Sequence, residues 1–499
     1  MTTNRHLVLW LGQKANQTTK SSFEVLELPV RYLTDERSLD HSDFASSCAL
    51  IISVPANKAG LFHTRVESLI IPALNHGLIV LVECTENDFV DINKIIIATK
   101  LEQTRVIGII RDTKNPNELP RRVFKHLANV GLPYTETCEI KNPNTLKLYD
   151  YQEVFLKRAF SDCAEIHIAP LKPGLSASIY CIHATIQNEQ PMPFFAKFDS
   201  LKKILKEQEN YKDHVLPSVP FNLRPNIDPN RCILGATNGL LIGNFVENAA
   251  SLWDCVIAGN SKAAINSLFE DSLRAWRHPI NPICTKSSLF KDNFKKPEQT
   301  ELLLLNKRWG LAKKHCSNVA SPQMLIELIT SLEVEFVKTR VHGDLHTENV
   351  QVKNNEAILI DFTKVHWGPS SIDSTLLEVW IALYKWPAKS FEEWRVMVDE
   401  LYSLSNNYIG LPKVKHHPEE NASIWNAIRQ IRILAFPLLL DNSHAEYQAC
   451  LAFWMYKFAT YKLNDDQKRV KKDREFEEQK RGYAYYLAYK LISNIKNNS

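Results

Sequence analysis

The sequence predicts a multidomain protein: a doubly wound α/β domain, then an α+β region, then a mostly helical carboxy-terminal part. Three observations carry this expectation. Over the first hundred or so residues, short apolar runs alternate with a helical pattern, as in α/β domains built on buried parallel strands. From Ile166 onward the pattern changes to closely spaced antiparallel strands. After Asp373, apolar residues recur at helical period.

At 499 residues the chain is long enough for two or three domains, each with its own core. Charged residues are 23% and hydrophobic ones 44%, ordinary values for a globular protein, and a net charge of +4 gives no clear nucleic-acid signal. Ten cysteines occur without a C-x-x-C pair, which argues for free thiols in a reducing compartment. The start has no apolar core like that of a signal peptide. The most apolar runs, residues 49–54 and 433–440, fall short of a membrane span. The expectation is a soluble, cytoplasmic protein without membrane contact.

The domain at 1–135 reads as five strands, His6 to Leu11, Phe23 to Leu28, Cys48 to Val54, Leu78 to Glu83 and Val106 to Arg111, with helices at Leu61 to Leu74 and Arg121 to Val130. In outline it resembles receiver and flavodoxin architecture. The chemistry of those folds is missing: Gly12-Gln13 follows the first strand and Val54-Pro55-Ala56-Asn57 the third, with no acidic pair, no Asp and no Gly-rich fingerprint. The domain is expected to be a docking or sensing module with a protein partner. A connector is expected over 136–160, where Asn142, Pro143 and Asn144 break any regular pattern.

The α+β region, 161–248, opens with a strand, a turn of small residues around Gly174 and Ser176, and a second strand from Ser178. A third strand, Pro193 to Phe198, carries Lys197, and a helix-like segment follows from Leu201 to Val215. Arg231 to Val246 reads as a strand pair with Asn238-Gly239 as its turn. Ser251 then caps a helix. Residues 280–320 look like a basic insertion with Lys286, Lys291, Lys295 and Lys296 on a solvated face.

The chemistry concentrates in Val341-His342-Gly343-Asp344-Leu345-His346-Thr347-Glu348-Asn349 and in Ile360-Asp361-Phe362. These are the acids and amide of a magnesium-dependent phosphoryl transfer, at the spacing of a kinase catalytic loop and its metal-binding Asp. Asp344 would orient or deprotonate an attacking hydroxyl, while Asn349 and Asp361 would hold magnesium against nucleotide phosphates. Between them, alternating Val350, Val352, Ile358 and Ile360 with Asn354-Asn355 predict a hairpin.

His-Gly-Asp-Leu-His-x-x-Asn followed by Ile-Asp-Phe resembles the aminoglycoside phosphotransferase and choline kinase group, over about residues 160–499. The resemblance implies a bilobal, protein-kinase-like fold: an amino-terminal lobe and hinge at 161–248, and a mostly helical lobe at 249–499 that shapes the acceptor site. It implies a nucleotide site of Gly174, Ser176, Lys197 and Glu207 (Glu209 being the alternative partner of Lys197), with Phe245 and Glu247 at the hinge. It also implies structural support from His342, and from Asp373 bracing the catalytic loop. Gly343 replaces the Arg of protein kinases, which argues against activation by a loop phosphate. Two departures stand out: Ala177 where related loops often have a second Gly, and Phe195 on the face of Lys197.

The function expected is transfer of a γ-phosphoryl group from ATP or GTP, with Mg2+, to a hydroxyl of a small-molecule or protein acceptor. The alternatives are a pseudokinase-like nucleotide-binding module of a multidomain bacterial regulatory or conflict system, and nucleotidyl transfer on the same fold.

Overall fold

The apolar runs at 7–12, 47–53 and 79–84 become parallel strands at the middle of a sheet, where they are buried nearly throughout. In the computed structural model, β1 (Leu7–Gly12), β2 (Val30–Leu33), β3 (Ser47–Ser53), β4 (Ile79–Cys84) and β5 (Val106–Ile110) pair in the order β2-β1-β3-β4-β5, all parallel. The structure describes Leu7 to Asn498 apart from residues 34–38, 40–42, 45, 100, 102–105, 112–114, 128–137, 143–145, 172–177, 187–189, 236, 245, 291–297, 406–407, 413–418, 441–443 and 464–470.

Helices cover both faces of this sheet. Helix α1 (Gln17–Val25) packs Phe23, and α3 (Glu118–His126) packs Leu119 and Val123, against Val8, Trp10, Ile51 and Leu81. The short helical turns from Gly60 to Asn75, together with α2 (Glu86–Ala98), pack Phe62, Leu69, Ile92 and Ile96 on the opposite side. Residues 23–28, expected as the second strand, instead hold the last turn of α1 and its C-cap, and the strand comes one element later. Asn16 caps the helix by accepting from the Thr19 amide at 2.8 Å, and Phe23 faces the core.

The chain divides into two compact units, Met1–Glu209 with Pro225–Glu247, and Asn210–Arg224 with Asn248–Ser499. The first unit holds a second sheet, formed by β6 (Glu139–Lys141), β7 (Glu165–Pro170), β8 (Ser178–Thr185), β9 (Met192–Ser200), β10 (Ile233–Leu234) and β11 (Asn238–Asn244). Its order is β10-β11-β9-β8-β7-β6, antiparallel except between β6 and β7. The segment expected as a connector therefore carries β6 and also α4 (Asp150–Ala159), whose Val154, Phe155 and Ala159 pack against Ile166, Ile182 and Ala196. The other face takes Leu201 and Ile204 from α5 (Leu201–Asn210) against Leu241.

Asn238-Gly239 is not a turn: both residues lie in β11, with Gly239 opposite Leu234 and Asp199. The glycine serves packing, since a Cβ there would stand 3.0 Å from Ile204 of α5.

In the second unit, β12 (Ala250–Ser251) pairs with the hairpin β15 (Val350–Lys353) and β16 (Glu356–Leu359). A second small sheet joins β13 (Ile283–Ser288), β14 (Glu333–Val341) and β17 (His366–Pro369). Part of the expected basic insertion is thus strand β13 and helix α6 (Gln299–Ala312), while Lys291, Lys295 and Lys296 lie outside the described residues. The longer helices beyond these are α7 (Pro322–Ser331), α8 (Ile372–Val379), α9 (Phe391–Leu401), α10 (Glu419–Ala435), α11 (Ala445–Thr460) and α12 (Lys471–Asn498). Among the described residues no helix is long and apolar enough to cross a membrane.

Candidate active site

Strand β14 runs into the His342–Asn349 loop, and buried Asp373 at the start of α8 fixes that loop from behind. Its two carboxylate oxygens accept from the His342 amide at 2.7 Å and the Gly343 amide at 2.9 Å. Burial pushes the Asp373 carboxyl up, against the opposing pull of His342 and of these two amides. The His342 ring, fully buried, has Nε2 3.0 Å from the Ile360 carbonyl, so one side chain joins the loop to the end of the hairpin.

The hairpin brings the amide and the second acid together. Asn354 and Asn355 both adopt positive φ, 52° and 68°, the backbone of a tight two-residue hairpin turn, and β15 pairs with β16 from Val350–Leu359 to Lys353–Glu356. One step beyond the ladder the Ile360 amide donates to the Asn349 carbonyl at 3.1 Å, which sets Asp361 beside Asn349. The Asn349 side chain donates through Nδ2 to the Asp344 carbonyl at 2.9 Å. Its Oδ1 is left as an acceptor.

Asp361 has φ +62°, the left-handed region that non-glycine residues seldom occupy and that stores strain at functional sites. Its Oδ1 accepts from the Thr363 hydroxyl at 2.7 Å. The following turn is tied by Asn210, whose Nδ2 donates to the carbonyls of Phe362 at 2.7 Å and Thr363 at 3.1 Å. Asn210 was not singled out from sequence. Its only signal is its place at the end of a helical segment, which says nothing of a partner 152 residues away.

Asp344 is partly exposed, and Lys364 holds its Oδ1 at 2.9 Å, a contact between residues 20 apart that the motif did not suggest. Behind the loop, His346 stacks on Trp380 with ring centroids 4.5 Å apart, and Trp380 stacks on Tyr384 at 4.2 Å. Trp380 begins a π-helical turn, Trp380–Lys385, that continues α8. Burial pushes the His346 imidazole down, against the opposing pull of Asp344. The end of that turn also supplies Lys385, 2.8 Å from Glu348.

In the first unit, Lys197 on β9 and Glu207 on α5 form a buried ion pair at 2.8 Å. Glu209 pairs with Lys206 instead, at 3.0 Å. Phe195, two residues before Lys197, lies against Gly243 on β11, where an added Cβ would be 2.5 Å from its ring. Glu247 is half-exposed and meets His183 of β8 at 2.9 Å. Gly174, Ser176, Ala177 and Phe245 lie outside the described residues.

The donor set fits a hard cation. Asn349 and Asp361 offer oxygen ligands from backbone positions that the Ile360–Asn349 bond brings near each other, and magnesium is commonly held by one or two protein oxygens plus substrate phosphates. Among the described residues no group of three or more His, Cys, Asp or Glu could hold a metal by itself.

The segment that contains this geometry, residues 294–416, matches the model of a phosphotransferase enzyme family (APH). That segment is thus similar to kinase-like phosphotransferases. Among solved structures, amicoumacin kinase in complex with AMP-PNP, Ca2+ and Ami aligns at 16% identity and a TM-score of 0.37, over 66% of this chain and 93% of that one. A choline kinase from Cryptosporidium parvum aligns at 11% identity and 0.31, over 66% and 90%. A streptomycin–ATP ternary complex of APH(2")-IIa aligns at 12% identity and 0.31, over 63% and 96%. No curated protein matches the chain.

Proposed function

We propose that the chain transfers the γ-phosphoryl group of ATP, with Mg2+, to a hydroxyl of an acceptor. The observation that carries this reading is one constellation. Asp361 is held in a left-handed conformation beside Asn349, and Asp344 projects from a loop whose preceding two amides are fixed by Asp373. Strain at an acid costs stability, and it is understandable where the carboxylate must point at a ligand.

In this reading Asn349 and Asp361 would hold the metal, which when bound neutralises charge on the phosphates. Asp344 would accept the hydroxyl proton, and its backbone carbonyl, bonded by Asn349, keeps the two groups in register. Lys197, paired with Glu207 at 2.8 Å, keeps the nucleotide-phosphate role that the resemblance implies. At the strand ends of the amino-terminal sheet Arg111 donates to Gln13 at 2.9 Å and to Ser53 at 2.8 Å and pairs with Glu83 at 3.2 Å, a network that satisfies itself.

The test separates the two acids. Asp361→Asn should impair binding of MgATP, measured by calorimetry, and turnover together. Asp344→Asn should keep nucleotide affinity near the wild-type value while turnover falls by roughly two or more orders of magnitude. Asp344→Asn with full turnover would remove the assignment. A wild type that binds MgATP without any turnover would instead be a nucleotide-binding pseudokinase.

A further inference from the structure

A phosphoryl-transfer site that gathers two carboxylates beside a polyanionic group needs a cation close to the reacting atoms. The His342–Asn349 loop contains no Lys or Arg. Lys364 brings one from outside the motif, with Nζ 2.9 Å from Asp344 Oδ1. The backbone explains how it gets there. Gly343 has φ +74°, and a Cβ on it would stand 2.5 Å from the Lys364 carbonyl oxygen and 2.8 Å from the His366 ring. The missing side chain at 343 therefore lets the turn after Asp361 press onto the loop before Asp344. That turn is tied by Asn210 to the carbonyls of Phe362 and Thr363, and by the His366 Nδ1, 2.8 Å from the Lys364 carbonyl.

The side chains tell a different story from the backbone. The Lys364 side chain is 60% exposed and that of Asp344 26% exposed, so their ion pair contributes little to folding. It fixes one oxygen of the carboxylate and leaves the other, Oδ2, with no hydrogen bond among the described residues. We propose that Lys364 is a positioning residue of the transfer site, holding Asp344 by Oδ1 so that Oδ2 receives the acceptor hydroxyl. The inference rests on the reading of Asp344 given above. Its effect is on the orientation of the group that takes the proton, where small misplacements are costly.

The test uses the full-length chain with MgATP and water standing in for the acceptor. The water oxygen bonds to the γ-phosphorus as the bridging P–O bond breaks, and the proton passes through Asp344 to solvent, leaving ADP and phosphate. Lys364→Met should lower the kcat of phosphate release by roughly ten- to a hundredfold. The KM and the calorimetric Kd for ATP should stay within about twofold, with an unchanged melting temperature. Lys364→Arg should restore most of the rate. In an Asp344→Asn background, Lys364→Met should cost nothing further, because the group it positions is gone.

Full kcat in Lys364→Met, an equal loss in the Asp344→Asn background, or a loss confined to KM would overturn the positioning role. Turnover that is lost in Asp344→Asn but kept in Lys364→Met removes Lys364 alone and leaves the phosphotransferase reading in place. A wild type that neither binds ATP nor releases phosphate removes both.

Discussion

Asp361 concentrates the residue-scale argument, since its backbone conformation is unfavourable for the residue it carries. A left-handed backbone costs an L-residue about 1–2 kcal/mol relative to glycine. The hydroxyl of Thr363, bonded to its Oδ1, offsets part of this. Asp361→Ala removes that bond and keeps the strain, whereas Asp361→Gly removes both. We therefore expect Asp361→Gly to be the more stable of the two by about 1 kcal/mol, read as the difference in their melting temperatures, with both inactive. Equal stability would mean that the loop relaxes to another conformation once the carboxylate is gone. Gly343 makes the complementary case: there the φ is positive and the residue is already glycine, because the space for a Cβ is taken by Lys364 and His366.

At the scale of elements, the parts set by local pattern were legible and those set by distant partners were not. The hairpin of β15 and β16 followed from alternation and Asn354-Asn355, and the pairing of Lys197 with Glu207 rather than Glu209 followed from the spacing Ile204-x-x-Glu207. Residues 23–28 form a short apolar run like those of the strands, yet the helix that Asn16 caps extends to Val25. Asn238-Gly239 has the composition of a turn, yet the glycine is needed for contact with Ile204. Lys364 and Asn210 had no readable signal, because each acts on a group brought near by the fold. The same is true of the ion pair that joins α8, α10 and α11. Glu378 receives Arg432 through two nitrogens, at 2.6 and 2.9 Å, and the Tyr447 hydroxyl at 2.7 Å, with all three residues buried. Glu378→Gln leaves a buried guanidinium without its charge partner and should cost about 3–5 kcal/mol in unfolding free energy. Pairing Glu378→Leu with Arg432→Met should recover much of that loss. A double variant no better than the single would show that shape, rather than charge balance, decides the site.

For the whole molecule, the decisive question is whether the amino-terminal sheet is an independent body or one part of the first unit. Its sequence reads as self-contained, with its own strands and helices. The structure adds a tie that such a reading does not contain: Arg158 of α4 is fully buried and donates to the carbonyls of Phe44 at 2.7 Å and Ser47 at 2.6 Å, at the head of β3. Burial lowers its pKa to about 10, so it remains charged at pH 7, and Gly77 beside β4 lies against Phe155 of α4 and Ile233 of the second sheet. Removing Arg158 leaves two carbonyls unpaired and a void where the side chain lay, a loss of about 2–5 kcal/mol. We expect Arg158→Ala to lower the melting temperature of the full chain and to raise hydrogen exchange in β3 and in β7–β8 together, since both sheets lose the same tie. A fragment of residues 1–135, which lacks α4, should fold with less protection in β3 than the full chain gives it. If instead the fragment protects β3 as well as the full chain does, and Arg158→Ala disturbs neither sheet, the two sheets fold independently and the boundary near residue 135 separates true domains.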